Sequence, residues 1–361
     1  MADVLETTVV GSYSVPDWYP ALRQAVSDGL LSADAFADAK ACAARSAVKD
    51  QETAGIDVVS DGELFRRDDN RFGPPNAMIG HFAAKIPGFA AEPREKSGIT
   101  PVAPEASVPA PVVAGPLGAV PLGTTDELAF LRATTSRPVR IALAGPHMFG
   151  TIAWDDHYGS REAVAEAMAD VINAEFRRLD AAGCDVIQLD EPIVWFLVDD
   201  QPWAIECINR CFAGVTRARR ALHLCQGNYN PDPEAHLGIR IFPSPFEAIL
   251  PVLAGADVDE ILLAFSGLGV EDLGPLTEFP EGKAYGVGAI DVQTHEIESA
   301  DDVAATLERV GSLLDGRDLI AVPDCGLNHL PRDVAYAKLR ALVAGAALVG
   351  GRTGAAAGAA V

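Results

Sequence analysis

Three residues of this chain have the types and spacing to hold a metal ion. His223 and Cys225 stand at i and i+2, which on a strand puts both side chains on one face. Cys325 closes another apolar run far downstream. One imidazole and two thiolates suit Zn2+ and leave a tetrahedral position open for a substrate. The chemistry this permits is thiol activation. A thiol with a pKa near about 8.5 is mostly protonated at neutral pH, and coordination to zinc removes that proton. The bound thiolate can then attack a methyl or other alkyl carbon. The competing reading is that buried cysteines are common small hydrophobes and that H-x-C arises by chance. The third cysteine at a strand end favours the metal. Cys42, Cys184, Cys207 and Cys211 fall in helical or pre-strand settings and read as packing residues.

Polar residues collect at the ends of other apolar runs: Gly11-Ser12, Asp61-Gly62-Glu63, Gly145-Pro146, Asp190-Glu191-Pro192 and Asp324-Cys325-Gly326. Asp190 and Glu63 can bind an ammonium group or act as acid and base. Equally, they can cap helices or pair with an arginine, and Arg66, Arg67 and Arg71 are close in sequence. His147, His157, His236 and His329 have no partner spacing and read as surface or structural.

These groups need elements that bring them together. Short β-branched runs recur at 7–11, 56–60, 139–144, 185–189, 221–224, 260–264, 284–288 and 318–322. Most are continuously apolar, as strands buried on both faces are. Helical patterns fill the gaps at 17–48, 160–182, 201–220, 245–254, 299–314 and 331–349. Eight strands alternating with helices predict an α/β protein, a (β/α)8 TIM barrel whose site lies at the C-terminal ends of the strands. An open doubly wound sheet is the alternative, but no G-x-G-x-x-G follows the first strand. The expected organisation is a single catalytic barrel over 1–349. A long insertion at 65–137 follows strand two, with a hairpin or lid and a helix near 125–132. Residues 350–361 read as a flexible tail.

Bulk properties narrow the classes. The chain has 361 residues, 49% hydrophobic and 22% charged, which is a globular composition. Its length can bury a core without staples, so a metal would be functional rather than structural. The formal net charge of −23 disfavours nucleic acid and anionic membranes as partners. No apolar run reaches the roughly 20 residues of a membrane span, and the N-terminus lacks a signal-peptide pattern. A cytoplasmic protein with reduced cysteines is expected.

Taken together the motifs resemble the cobalamin-independent methionine synthase family, in particular its catalytic C-terminal barrel. Short standalone homologues and the epoxyalkane:coenzyme M transferases belong to the same group. The matching segments are Thr8-Val9-Val10-Gly11-Ser12-Tyr13, Asp57-Val58-Val59-Ser60-Asp61-Gly62-Glu63, Gln188-Leu189-Asp190-Glu191-Pro192, His223-Leu224-Cys225-Gln226-Gly227-Asn228, Gly288-Ala289-Ile290-Asp291 and Pro323-Asp324-Cys325-Gly326-Leu327. They span nearly the whole chain, and the last segment and the H-x-C pair are the most specific. The resemblance implies zinc on His223, Cys225 and Cys325. It also implies that Asp190 and Glu63 bind the homocysteine amine and that Ser12, beside Gly11, helps bind its carboxylate.

Two positions depart from that family. The methionine synthases take a glutamate ligand from strand six, where this chain has Ala264. Glu247 precedes a helix, and Glu260 lies at the wrong end of its strand. Gln293 stands where those enzymes have a histidine thought to donate a proton to the folate. Both changes weaken the case for methyltetrahydrofolate as donor. The expected function is a zinc-dependent S-methyltransferase that activates a homocysteine-like thiol as a zinc thiolate. The alternative is a zinc-dependent alkyltransferase acting on another thiol, with a sulfonate held by Arg66, Arg67 or Arg71. A non-catalytic zinc protein and a decarboxylase of the uroporphyrinogen type are weaker readings. The partners are a small thiol and an alkyl donor. The oligomeric state is open, a homo-oligomer included.

Overall fold

A computed structural model describes residues 5–67, 77–98, 107–225, 245–266, 273–315 and 317–358. The ring of strands comprises β1 (Glu6–Thr7), β5 (Arg140–Ala144), β7 (Val186–Asp190), β8 (Arg219–Leu224), β9 (Glu260–Ala264), β10 (Ala284–Gly288) and β11 (Leu319–Val322). They form one sheet in the order β1-β11-β10-β9-β8-β7-β5, and every pairing is parallel. Residues 56–60 are not a regular strand. They join β1 to β5 through single parallel bridges, Thr8↔Val58 and Val59↔Val139, and so complete the barrel. Four main-chain hydrogen bonds serve this join: Asp57 N–H and Val58 N–H to Thr7 O, Val59 N–H to Pro138 O, and Arg140 N–H to Val59 O.

Local chemistry sets the helices around this ring. They are α1 (Tyr19–Ser27), α2 (Ala33–Ala54), α3 (Ala77–Ala83), α4 (Thr124–Thr134), α5 (Pro146–Ile152), α6 (Arg161–Ala181), α7 (Gln201–Phe212), α8 (Leu250–Gly255), α9 (Ala300–Leu313) and α10 (Arg332–Gly358). Ser32 and Ser160 cap α2 and α6, each accepting from a main-chain N–H three residues on, and Ser299 with Asp302 forms a capping box at α9; such caps satisfy otherwise orphaned donors. Several helix ends differ from the sequence pattern. α7 stops at Phe212 because the chain turns at Gly214, where φ is 80°. β8 then starts at Arg219, two residues before the apolar run, because its arginines have ion-pair partners along the barrel floor. α10 continues past Val349 to Gly358.

The insertion holds α3, α4 and a small antiparallel pair, β2 (Arg94–Lys96) with β3 (Val108–Ala110). β4 (Val112–Val113) runs parallel to β6 (Trp154–Asp155), which leads out of α5. Arg94 clasps Asp156, and Lys96 Nζ donates to Thr151 O and Ala153 O, so the pair is pinned to the segment after α5. No helix among the described residues is long and apolar enough to cross a membrane.

Apolar residues fill three zones, the least of them, with Val113, Ala153 and Val164, beside β4. A large cluster lies between strands and helices. A small one, with Val10, Val58, Val186, Ala221, Leu262, Ile320 and Val322, lies inside the ring. Arg140, Gln188 and Glu260 break the apolar filling of that interior, all of them buried.

Candidate metal centre

The register of two neighbouring strands builds the core of the site. Asp190 is paired with His223 across β7 and β8, so both side chains leave the sheet on the inner face. The His223 Nδ1–H donates to Asp190 Oδ1 at 3.0 Å. Two residues on, Cys225 continues along that face. The ligand atoms of His223, Cys225 and Cys325 all lie within 4.8 Å of one another. His223 Nε2 is buried and has no hydrogen-bond partner among the described residues. A buried ring nitrogen without a partner costs desolvation energy unless something else satisfies it. Burial disfavours the imidazolium, yet Asp190 and the Cys225 sulfur outweigh it, and the His223 pKa lies above its ordinary value. The same carboxylate contact raises the basicity of a ligating imidazole. Its neighbour Cys225, and then burial, push the Cys325 thiol well above its ordinary range. Two adjacent buried sulfurs can both ionise only with a cation between them. The donor set therefore fits a thiophilic divalent cation.

The loops after β1, after residues 56–60 and after β11 are knit together above these donors. Gly11 takes φ 59°, and a Cβ on Gly326 would lie within 3.0 Å of the Ser12 backbone. Leu327 N–H donates to Ser12 O at 2.8 Å. Glu63 has φ 57°, a left-handed conformation that is unusual for a residue with a side chain. Its N–H donates to Asp61 Oδ1 at 2.9 Å, and its Oε2 accepts from Ser12 Oγ at 2.6 Å. That leaves Glu63 Oε1 and Asp190 Oδ2 buried without partners among the described residues. Burial raises the Glu63 pKa; Arg66 opposes this and the Asp190 charge adds to it. The structure thus brings His223, Cys225, Cys325, Asp190, Glu63, Ser12 and Gly11 to one end of the barrel.

Other sequence expectations fall elsewhere. Arg66 lies close enough to Glu63 and Asp61 to act on their charges, but its hydrogen bonds go to Glu127, in a two-point pair at 2.9 and 2.5 Å, and to Ala142 O. Arg71, His236 and Gln226-Gly227-Asn228 lie outside the described residues. Glu247 is exposed in a turn before α8, and Glu260 sits at the barrel floor against Arg140. Cys42 is exposed on α2, not packed, whereas Cys184, Cys207 and Cys211 are buried. His147 is fully buried and bonded to Asp200 at 3.0 Å. Ala264 is buried at the end of β9.

Three further side chains shape the site, and two of them, Glu191 and Asp324, stand in the polar strand ends that the sequence marked. Gln188 Nε2 donates to Asp190 Oδ1 at 2.6 Å. Asp324 Oδ1 accepts from Phe265 N–H and Ser266 N–H and so holds the chain leaving β9. Glu191 accepts from His147 N–H and Met148 N–H at the start of α5. The overlooked signal for Gln188 was a lone amide in an otherwise apolar strand.

Fold and site together define a parallel barrel enzyme with a nitrogen- and sulfur-rich centre at the strand C-terminal ends. The chain belongs to the cobalamin-independent methionine synthase family: the sequence model of that synthase's catalytic domain matches residues 5–348. A methionine synthase of Sulfurisphaera tokodaii is 30% identical over 96% of this chain and 93% of its own length. One from Pyrococcus abyssi is 29% identical, covering 93% of this chain and 90% of its own. The B12-independent methionine synthase of a Shewanella species, solved with selenomethionine, superposes with a TM-score of 0.80. It shares 30% identity, with 98% of this chain and 99% of that one covered. A putative Listeria monocytogenes enzyme of that type, 16% identical, shares the fold at a TM-score of 0.66.

Proposed function

We propose that this chain is a zinc-dependent S-methyltransferase that forms methionine from homocysteine. The observation that carries this reading is the convergence of His223, Cys225 and Cys325, with the His223 Nε2 buried and unpartnered among the described residues. Zinc held there would lower the pKa of a substrate thiol and present it as a thiolate at neutral pH. Asp190 holds the His223 ring in the tautomer whose Nε2 faces the sulfurs. Glu63 Oε1 and Asp190 Oδ2 each offer a free carboxylate oxygen to the amino group of the substrate. Ser12 turns Glu63 towards that task. An acidic pocket of this kind suits an ammonium better than a sulfonate, and the engagement of Arg66 by Glu127 argues against the coenzyme M alternative. The Shewanella relative was solved with selenomethionine, an analogue of the expected product.

The donor is a pre-activated methyl group. Ala264 places a methyl where the methionine synthases have a carboxylate, so β9 adds no negative charge to the centre. A more positive centre holds a thiolate more tightly and makes it less nucleophilic. Gln293 cannot protonate a folate leaving group as a histidine would. The test is metal analysis of purified protein, followed by mass spectrometry of methionine formed from homocysteine with several donors. One zinc per chain is expected, lost in Cys225→Ser and in Cys325→Ser. Methionine should form with a methylcorrinoid or a sulfonium and hardly at all with methyltetrahydrofolate. Full zinc retention in both variants overturns the metal centre, and robust folate-dependent turnover overturns the donor.

A further inference from the structure

The barrel interior carries a line of polar side chains that the reaction does not directly require. Glu6 and Arg219 stand at its floor, where Arg219 donates to Glu6 Oε1 at 2.8 Å. Arg219 Nε lies 3.0 Å from Glu260 Oε1, an ion pair without hydrogen-bond alignment. Glu260 Oε2 accepts from Arg140 at 2.8 Å, across the inside of the ring from β9 to β5. Arg140 also donates to Gln188 Oε1 at 2.8 Å. Gln188 Nε2 donates to Asp190 Oδ1, which accepts in turn from His223 Nδ1. The line thus runs from the floor of the barrel to the nitrogen-bearing ligand of the metal centre.

Each link has one direction only. Guanidinium has donors and no acceptor, so the Gln188 amide must turn its oxygen to Arg140. Its NH2 group then has to face Asp190. A carboxylate only accepts, so the hydrogen between Asp190 and His223 sits on Nδ1. Nε2 is left with its lone pair, facing Cys225 and Cys325. Stability alone does not explain the line. The surrounding interior is filled by Val186, Ala221, Leu262 and Ile320, and an apolar substitute for a buried ion pair is often neutral or stabilising.

We infer that Arg140 and Gln188 are positioning residues that hold the Asp190 carboxylate against His223 Nδ1 and so keep the ring of this metal ligand in one orientation and tautomer. This role rests on the metal centre proposed above, so its test reads the ring and the ion separately. Long-range 15N–1H NMR of metal-stripped, 15N-histidine-labelled protein reports the tautomer, and chelator competition reports zinc affinity. Gln188→Met removes both amide bonds at nearly constant volume. Arg140→Met combined with Glu260→Met removes the upper ion pair without leaving one charge buried alone. Arg140→Lys keeps a donor in place. At alkaline pH, where the ring is neutral, wild type should show Nδ1–H alone. Gln188→Met and the double variant should show mixed tautomers and bind zinc about tenfold more weakly, as loss of an outer partner of a ligand does. Arg140→Lys should restore most of the affinity. Melting curves identify variants that remain folded. Folded Gln188→Met and double variants with wild-type zinc affinity and pure Nδ1–H would overturn the role while leaving the metal centre standing. A wild type that binds no zinc would overturn the centre itself, and this role with it.

Discussion

Glu63 sits where a side chain is unwelcome. A left-handed non-glycine residue costs on the order of 1–3 kcal/mol, and here Asp61 and Ser12 hold it there. That geometry leaves one carboxylate oxygen, Oε1, buried and without a hydrogen-bond partner among the described residues. If that oxygen takes the substrate ammonium, Glu63→Gln should weaken homocysteine binding by about 1.5–3 kcal/mol, the worth of a hydrogen bond to a charged group. KM for homocysteine should rise while zinc content and KM for the des-amino thiol stay put; equal changes for both thiols would sink the assignment. At this scale the sequence was informative where spacing alone sets geometry. His223 and Cys225 share a face because they are two apart on a strand. It was silent where a partner lies far along the chain. Glu127, which engages Arg66, is 61 positions away, and the contact of Asp190 with His223 follows from a pairing register that no local pattern reveals.

α5 shows how one buried acid can organise an element. Glu191 receives the first main-chain donors of α5, and a Cβ on Gly145 would lie 2.1 Å from its Oε2, so any side chain there would displace the carboxylate from those donors. Burial raises the Glu191 pKa from its ordinary 4.5 to about 8, against the pull of those two donors. The folded protein therefore binds this proton more tightly than the unfolded chain does. The resulting stability is fully present below about 4.5 and is lost as pH rises through about 8. Melting temperature should fall more steeply between pH 5 and 9 in wild type than in Glu191→Gln, and parallel curves would refute the attribution. Asp61, raised to about 7 chiefly by burial, slopes the same way in both proteins. Strand and helix types were largely readable from periodicity. Their ends were not: Arg219 and Arg220 look foreign to a buried strand until Glu6, Glu260, Asp257 and Asp259 appear beside them.

At the scale of the whole molecule, 51 acidic against 28 basic residues leave a charge of −23, and compaction sets those charges against each other. Between about 0.01 M and 0.15 M salt the Debye length shrinks from about 30 Å to about 8 Å. Melting temperature should therefore rise with sodium chloride over that range; a flat or falling response would mean that local ion pairs outweigh the global repulsion. The alternation of strands and helices made the barrel legible, but not how it closes. That closure rests on two single bridges at Val58 and Val59, where β1 and β11 share two consecutive pairs and the other neighbours four or five. Glu63 hangs from the loop after this seam, and Asp190 stands on β7, on the far side of β5. An amino acid held by both is a rivet across the weakest joint of the ring. Amide protons at Val58 and Val59 should then exchange with solvent faster than those of β7 in the free protein and slow down when methionine is bound. The breathing of the barrel would be damped by its own product.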